Sequence, residues 1–341
     1  MKRWIIAAAM AVAGAANAGE PTPLFSSDAP IALSISAPWR DVARKAPEDA
    51  PIDAVLTYEG VDYPIELTTR GKSRRAKNVC TFPPLRVAFK EKPPKGSLFH
   101  KQKKLKLVTY CRKSANHQQY VLAEEAAYRL YNKATPESFR TRLADISYVE
   151  PNSGKVGTVR TGFFIEDVDD LAKRVDREEV ERARTPLEMF NRNAAARVAV
   201  FQYMIGNLDW ELTAGPEGED CCHNGKLIGP AAGAESDLVS APYDFDMSGL
   251  VDAPYALPPE QFKIRTVTTR VYRGYCAHNE ETRAAAAAFR NARGDYDAAV
   301  SDMPGLSDRT KEKMLKFLGG FFDDVADDAA VEKNLLSKCR G

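Results

Sequence analysis

The chain has almost no net charge, with 48 Lys and Arg against 47 Asp and Glu, or +1 over 341 residues. Such a balance excludes a histone-like or polyanion-wrapping protein, whose charge is strongly one-sided. Histidine is scarce: there are four, and His100, His117 and His278 stand isolated, as surface or packing residues do. No Gly-x-Ser-x-Gly, His-Glu-x-x-His or catalytic Cys-His pattern occurs, which removes the common hydrolase readings. After the first eighteen residues no apolar run approaches the roughly 20 residues of a membrane helix, so no membrane span is expected. Internal repeats are absent too. What is abundant is material for a core: hydrophobic residues make up 44% of the chain, enough to exclude wholesale disorder.

The N-terminus carries the pattern of a secretory signal. Lys2 and Arg3 form a basic start, Trp4 to Gly14 an apolar centre, and Ala16-Asn17-Ala18 a small-residue cleavage site. Cleavage after Ala18 is expected, giving an exported protein, periplasmic or secreted. Six cysteines remain: Cys80, Cys111, Cys221, Cys222, Cys276 and Cys339. An even number in an exported chain favours disulfides. The alternative is a metal site at Cys221-Cys222-His223, which lacks a supporting Cys-x-x-Cys or His pair. Adjacent cysteines rarely bridge each other, so Cys221 and Cys222 are expected to reach other partners.

The balanced total hides a local asymmetry. Between Arg70 and Lys113 there are fifteen Lys or Arg and one acid, Glu91. That run reads either as a solvated basic face or as a surface facing phosphates, an acidic polymer or a polyanionic protein. Aromatic residues are sparse within it (Phe82, Phe89, Phe99, Tyr110), so base stacking on nucleic acid is not expected.

Periodicity orders the elements. Strands are expected at Ile31–Ile35, Ala54–Tyr58, Val61–Thr69, Leu85–Phe89, Leu105–Val108, Leu143–Val149 and Val156–Ile165. A helix is expected over Gln119–Lys133, with Leu122, Ala126 and Leu130 on one face. From Glu166 to Arg184 the chain is charged with a helical bias. Thr185-Pro186 reads as a helix start, followed by Leu187, Phe190, Ala194, Val198, Phe201 and Ile205 at helical spacing, with Gly206 at the C-cap position. A long loop is expected from Asn207 to Pro242, and helices near 280–293 and 309–318. Tyr272-Arg273-Gly274-Tyr275-Cys276 reads as structural, with Cys276 bridged. The layout is α+β, divided at residue 166 into a strand-rich part, 19–165, and a mainly helical part, 166–341.

Two stretches after the strong helix carry chemistry. Gly206-Asn207-Leu208-Asp209-Trp210 runs on to His223-Asn224, and Tyr243-Asp244-Phe245-Asp246 follows. A carboxylate after a buried helix, then an Asn, then a second carboxylate among apolar residues suits phosphoryl transfer, where one Asp orients a hydroxyl and the others hold metals. Oxygen ligands favour Mg²⁺ or Mn²⁺. Each piece alone also fits an Asx-turn or a surface turn.

Together these stretches resemble the spore-coat-protein-H (CotH) kinases, a secretory branch of the kinase-like fold. The resemblance is carried by Arg70-Gly71-Lys72-Ser73-Arg74, Phe163 to Val168, Gly206 to Trp210, His223-Asn224 and Tyr243 to Asp246. More distantly the order is similar to that of HipA-type and phosphoinositide-kinase-type enzymes. The resemblance implies a bilobal atypical protein-kinase-like fold with a strand-rich N-lobe and a helical C-lobe. It implies ATP, or another nucleoside triphosphate, with Mg²⁺ or Mn²⁺ as cofactors, and an unknown protein or acidic polymer as acceptor. Arg70, Gly71, Lys72 and Ser73 would cover the phosphates, and Arg86, Lys104 or Lys106 would contact them. Glu124 or Glu125 would pair with that base, and Glu166 would sit in the hinge beside the nucleotide base. Asp209 would be the catalytic Asp, Asn224 and Asp244 the metal ligands, and Asp246 a substitute for Asp244. Asp209 and Asn224 lie fifteen residues apart, against roughly five in kinase-like loops. Two readings of the insertion stand: a disulfide-pinned loop that still delivers Asn224, or a chain in which Asn224 is no ligand. Besides the phosphotransferase, two other functions fit: a non-catalytic, pseudokinase-like envelope protein, and a Ca²⁺- or Zn²⁺-stabilised module.

Overall fold

Alternating apolar and polar side chains turn most of the first half of the chain into strands. The computed structural model describes residues 19–44, 50–71 and 73–341, so the expected signal peptide, 1–18, and Lys72 lie outside the described residues. β1 (Ile31–Ser36) leads through a short helix, α1 (Trp39–Arg44), to β2 (Ile52–Tyr58), β3 (Val61–Thr69), β4 (Leu85–Phe89) and β5 (Lys104–Val108). The long helix α2 (Ala115–Ala134) precedes β6 (Thr141–Val149) and β7 (Val156–Ile165). In β3, Tyr63, Ile65, Leu67 and Thr69 are buried and the residues between them are not, as a sheet with one inward face requires. All seven strands expected from the sequence are present. They close into a barrel in the order β1-β2-β3-β4-β5-β7-β6, sealed by parallel pairing of β1 with β6 from Ile31↔Ala144 to Ser36↔Val149. Leu56, Ile65, Leu85, Val87 and Leu107, with Phe99 and Phe164, belong to its core.

The second half is mainly helical. α3 (Val168–Arg174) and the two-residue strand β8 (Glu178–Glu179) occupy the charged stretch that reads as helical in the sequence. Then come α4 (Arg192–Ile205), β9 (Gly225–Gly229), β10 (Val239–Pro242), α5 (Asn279–Asn291), α6 (Arg293–Ser301), α7 (Asp308–Asp324) and α8 (Asp328–Asn334). A second core joins Leu122 and Leu130 of α2 to Val198 and Phe201 of α4, Phe289 of α5 and Phe321 of α7. α2 thus lies between β5 and β6 in sequence while its apolar face belongs to the core of the helical half.

Three expectations need correction. The helix read from Thr185 starts at Arg192, capped by Asn191, whose side chain accepts from the Ala194 N–H. The reason is tertiary: after a single 3-10 turn, Leu187–Met189, the Leu238 N–H donates to Met189 and the Asn191 N–H donates to Leu238, which holds Phe190 and Asn191 extended. The loop expected over 207–242 contains β9 and β10, which form a three-stranded sheet with β8. Finally, Cys221 and Cys222 bridge each other, joined by a cis peptide bond with Cα atoms 2.9 Å apart, rather than reaching other partners. Their thiols are consumed, so no thiolate remains there for Zn²⁺. The other cysteines pair as Cys80–Cys111 and Cys276–Cys339. Among the described residues no helix is long and apolar enough to cross a membrane.

The C-cap reading at Gly206 is met. Its φ of 62° is left-handed, its N–H closes onto Gln202 and Tyr203, and a Cβ there would approach Phe317 Cζ to 2.9 Å. Gly319, inside α7, would place a Cβ in open space. Gly206→Ala is therefore expected to destabilise the protein by about 1–2 kcal/mol. Gly319→Ala should stabilise it by roughly 0.5–1 kcal/mol, since only the entropy of the helical glycine is removed. Denaturant unfolding of both variants checks the opposite signs.

Candidate active site

α4 delivers its C-terminus to a cleft, and Gly206 turns the chain there. Asn207 is buried and its side-chain oxygen accepts the Asp209 N–H at 3.0 Å, an Asx-turn that aims the next carboxylate. Cys222 and Gly225 exchange backbone hydrogen bonds at 3.1 and 3.2 Å, which makes His223 and Asn224 the tip of a two-residue turn. Asn224 there has φ 52°, a conformation that Asn tolerates better than most residues. The turn closes on Asp209. Its Oδ1 lies 2.7 Å from His223 Nε2, while Asn224 Nδ2 donates to Oδ2 at 3.0 Å and to the Asp209 carbonyl at 2.7 Å. Asn224 and Asp209 are thus in direct contact despite the fifteen-residue separation. The hydrogen bond to the Asp209 carboxylate raises the His223 pKa above its ordinary value, against the opposing effect of burial.

Asp244 arrives from the other side. Tyr243 N–H donates to the Asn224 carbonyl at 3.0 Å, and Asp244 N–H donates to the Tyr128 hydroxyl of α2 at 2.9 Å. Gly249 and Leu250 hydrogen-bond back to Gly206 and Ile205, so this segment is tied to the end of α4. Asp209, Asn224 and Asp244 consequently line one cleft of ≈ 1080 Å³.

The facing wall is basic. Arg70, Gly71, Ser73, Arg75, Arg86 and Lys106 line the same cleft. The Lys106 Nζ lies 4.3 Å from the centre of the Tyr243 ring. Burial, with the charges of Arg70 and Lys226 behind it, lowers the Lys106 pKa to about 8. Arg70 Nε is buried without a hydrogen-bond partner. Lys104 is exposed and does not line the cleft.

Two of the expected site residues lie elsewhere. Asp246 is 4% exposed and points behind the cleft, where it accepts from the Tyr255 hydroxyl at 3.0 Å. Burial first, then the Asp244 charge, pushes its carboxyl up to about 7. The Glu166 carboxylate is buried in a two-point pair with Arg174 at 3.0 and 2.9 Å and also accepts the Arg140 N–H. Glu124 does pair with a base, but with Arg74 at 3.6 Å rather than with Arg86, Lys104 or Lys106. Glu125 pairs with Arg129 at 2.8 Å. Arg74 is buried; burial works against its charge, yet Tyr255, Glu124, Asp246 and Asp244 together hold its pKa above the ordinary value.

Several members of the site carry no sequence signal. Lys226 lines the cleft and is fixed by Glu179 at 2.8 Å. His223 reads in the sequence as the neighbour of Asn224 and as part of the candidate metal site Cys221-Cys222-His223, and nothing there announces its bond to Asp209. Arg74 was noticed as part of a turn and serves instead as the partner of α2.

The donor set suits a hard divalent cation in an open, partly hydrated site. Among the described residues no three His, Cys, Asp or Glu converge on a metal position. The protein would thus supply few ligands, as Mg²⁺ sites that rely on waters and substrate phosphates do. The unpartnered Arg70 Nε and the half-buried Lys106 on the opposite wall fit the phosphates.

No protein-family model matches the chain, and no curated protein does. Among solved structures, the crystal structure of a Helicobacter pylori proinflammatory kinase, CtkA, matches with a TM-score of 0.35 and 11% identity, covering 83% of this chain and 92% of that one. A similarity of that size carries no argument, and the chemistry of this chain rests on its own cleft.

Proposed function

We propose that this chain is an exported, kinase-like phosphotransferase that moves a phosphoryl or nucleotidyl group from a nucleoside triphosphate to a hydroxyl acceptor. One observation supports it above the rest: Asp209, Asn224 and Asp244 face Arg70, Arg86 and Lys106 across a single cleft. In this reading residues 19–165 are the N-lobe, with the barrel, and residues 166–341 the C-lobe. Three cysteine pairs at bonding distance agree with an oxidising destination.

Asp209 orients the acceptor hydroxyl and takes its proton as the new oxygen–phosphorus bond forms and the bond to the leaving nucleoside diphosphate (pyrophosphate in nucleotidyl transfer) breaks. His223, bonded to Asp209 Oδ1, fixes the orientation of the carboxylate. Arg70, Arg86 and Lys106 bind the polyphosphate oxygens, and charge-assisted bonds to them strengthen as negative charge spreads in transfer. A divalent cation held by Asn224 and Asp244 would neutralise the remaining phosphate charge. The acceptor is a protein or an acidic polymer, drawn by the basic run between Arg70 and Lys113.

A second reading, a non-catalytic binding protein, is favoured by the engagement of both Asp209 carboxylate oxygens, one by His223 and one by Asn224. The two readings separate in one experiment. The mature chain is incubated with γ-labelled ATP and Mg²⁺ or Mn²⁺, and label transfer and thermal shift are measured together. Phosphotransfer requires a shift on ATP/Mg²⁺ and transfer that falls by roughly 10²–10⁴-fold in Asp209→Asn. A shift without transfer, unaltered by Asp209→Asn, would establish the binding protein. No shift in wild type or Asp244→Ala would sink the enzyme.

Lys106 gives a pH signature. Free, it titrates at about 8. A bound polyphosphate favours its protonated form, so its pKa is higher in the complex. Affinity should hold below pH 8 and then fall by up to roughly tenfold per pH unit above it, until the pKa of the complex is reached. Lys106→Met should bind more weakly at pH 7 and lose that slope, as titration calorimetry across pH 7–10 would show.

A further inference from the structure

We infer that the C-terminal Cys339-Arg340 segment, with Arg273 and Glu211, is a strap that positions Asp209, and that Arg273 and Arg340 are positioning residues for the reaction. The inference rests on the reading of Asp209 as the catalytic carboxylate. Arg273 Nη1 donates to the carbonyl of Leu208 at 3.0 Å and to that of Trp210, the residues on either side of Asp209. One guanidinium thereby fixes the Leu208–Asp209 and Trp210–Glu211 peptides, which bracket the carboxylate.

Glu211 holds that guanidinium in place. Its Oε2 accepts from Arg273 Nη2 at 2.9 Å and from Arg340 Nη1 at 2.8 Å, while Oε1 accepts from Arg340 Nη2 at 2.9 Å and from the Tyr275 hydroxyl at 3.2 Å. The Arg340 contact is a two-point fork, a geometry that lysine cannot reproduce. Both cations also lie near the Trp210 ring, at 5.1 and 5.8 Å. Glu211 N–H donates to the His223 carbonyl at 3.1 Å, so the strap reaches the turn that carries Asn224 as well.

The place of Arg340 depends on a tether. Its N–H donates to Gly274 and its carbonyl accepts from Cys276, each at 2.9 Å. The Cys276–Cys339 disulfide closes the 63-residue separation immediately beside it. Everything from α5 to α8 lies inside that closed loop. The bridge fixes the segment that carries Arg340 against Gly274 and Cys276.

The test uses the mature chain, residues 19–341, with its disulfides formed, as wild type, Arg340→Ala and the pair Cys276→Ser/Cys339→Ser. Three quantities are read: amide exchange of segments 207–212 and 193–204, the thermal midpoint, and kcat with nucleotide KM in the transfer assay. Arg340→Ala should speed exchange in 207–212 by roughly tenfold, leave 193–204 as in wild type and move the midpoint by less than about 4 °C. It should lower kcat by roughly tenfold or more with nucleotide KM within about twofold, because misplacement affects the chemical step. The cysteine pair should move the same readouts in the same direction; if it fails to fold, Arg340→Ala decides alone. Unchanged exchange in 207–212 overturns the strap. So does faster exchange in both segments with a large fall in midpoint, which marks a merely structural role, and so does an unchanged kcat. If wild type transfers nothing, the phosphotransferase reading fails, and the exchange of 207–212 still accepts or rejects the strap as what orders the Asp209 loop.

Discussion

The ring of Phe245 sits between two helices, 4.7 Å from the Tyr128 ring of α2 and 5.5 Å from the Phe201 ring of α4. It is fully buried, and truncating such a ring typically costs about 3–5 kcal/mol. The rest of the site follows from where this side chain must be. With Phe245 inside, its neighbours part: Asp244 lines the cleft, and Asp246 is driven into the interior beside Tyr255. The same packing brings the segment against the end of α4, where Gly206 and Ile205 accept its backbone N–H groups. Asp209, three residues beyond Gly206, and Asp244, one before Phe245, are neighbours because one aromatic side chain is in the core. Hydrophobic burial, rather than any attraction among acids, assembles the acidic wall.

The barrel strands were legible because each is short, alternating and bounded by turn residues, and local pattern suffices for that. Closure was not, because the parallel β1–β6 pairing joins Ile31 to Ala144 and no local signal specifies it. The start of α4 was misread for a related reason. Thr185-Pro186 is a good local start, and the backbone of 189–191 is claimed by Leu238 instead. In the site, Asp209, Asn224 and Asp244 stood out by residue type and order, and the structure brings all three to one cleft. Their partners did not stand out. Nothing near Asp209 in sequence announces Arg273, more than sixty residues on, yet Arg273 brackets it. Glu166 shows the converse: a position that looked open for a ligand is closed by Arg174.

The basic run between Arg70 and Lys113 is one feature in the sequence and several in space. Arg70, Arg75, Arg86 and Lys106 line the cleft, where phosphate would be recognised. Arg74, between two of them in sequence, turns inward to Glu124 and the Thr109 carbonyl. Arg112 binds the carbonyls of Asn78 and Val79 next to the Cys80–Cys111 bridge, and Lys90 pairs with Asp53 on the barrel surface. Some of this charge is thus structural, and the near-zero total of the chain does not describe the cleft.

Behind the acidic wall, Arg74 faces two buried carboxyls, Glu124 and Asp246, and can neutralise only one. Burial raises both carboxyl pKa values; the Asp246 charge adds to it for Glu124, and the Asp244 charge adds to it for Asp246, which reaches about 7. Both carboxyls are therefore easier to protonate than exposed ones. Asp244 lines the cleft, and its charge acts on Glu124, Asp246 and Arg74 alike. Through Glu124 and its partner Arg74, the long helix α2 thus shares one buried electrostatic environment with the acidic wall of the cleft.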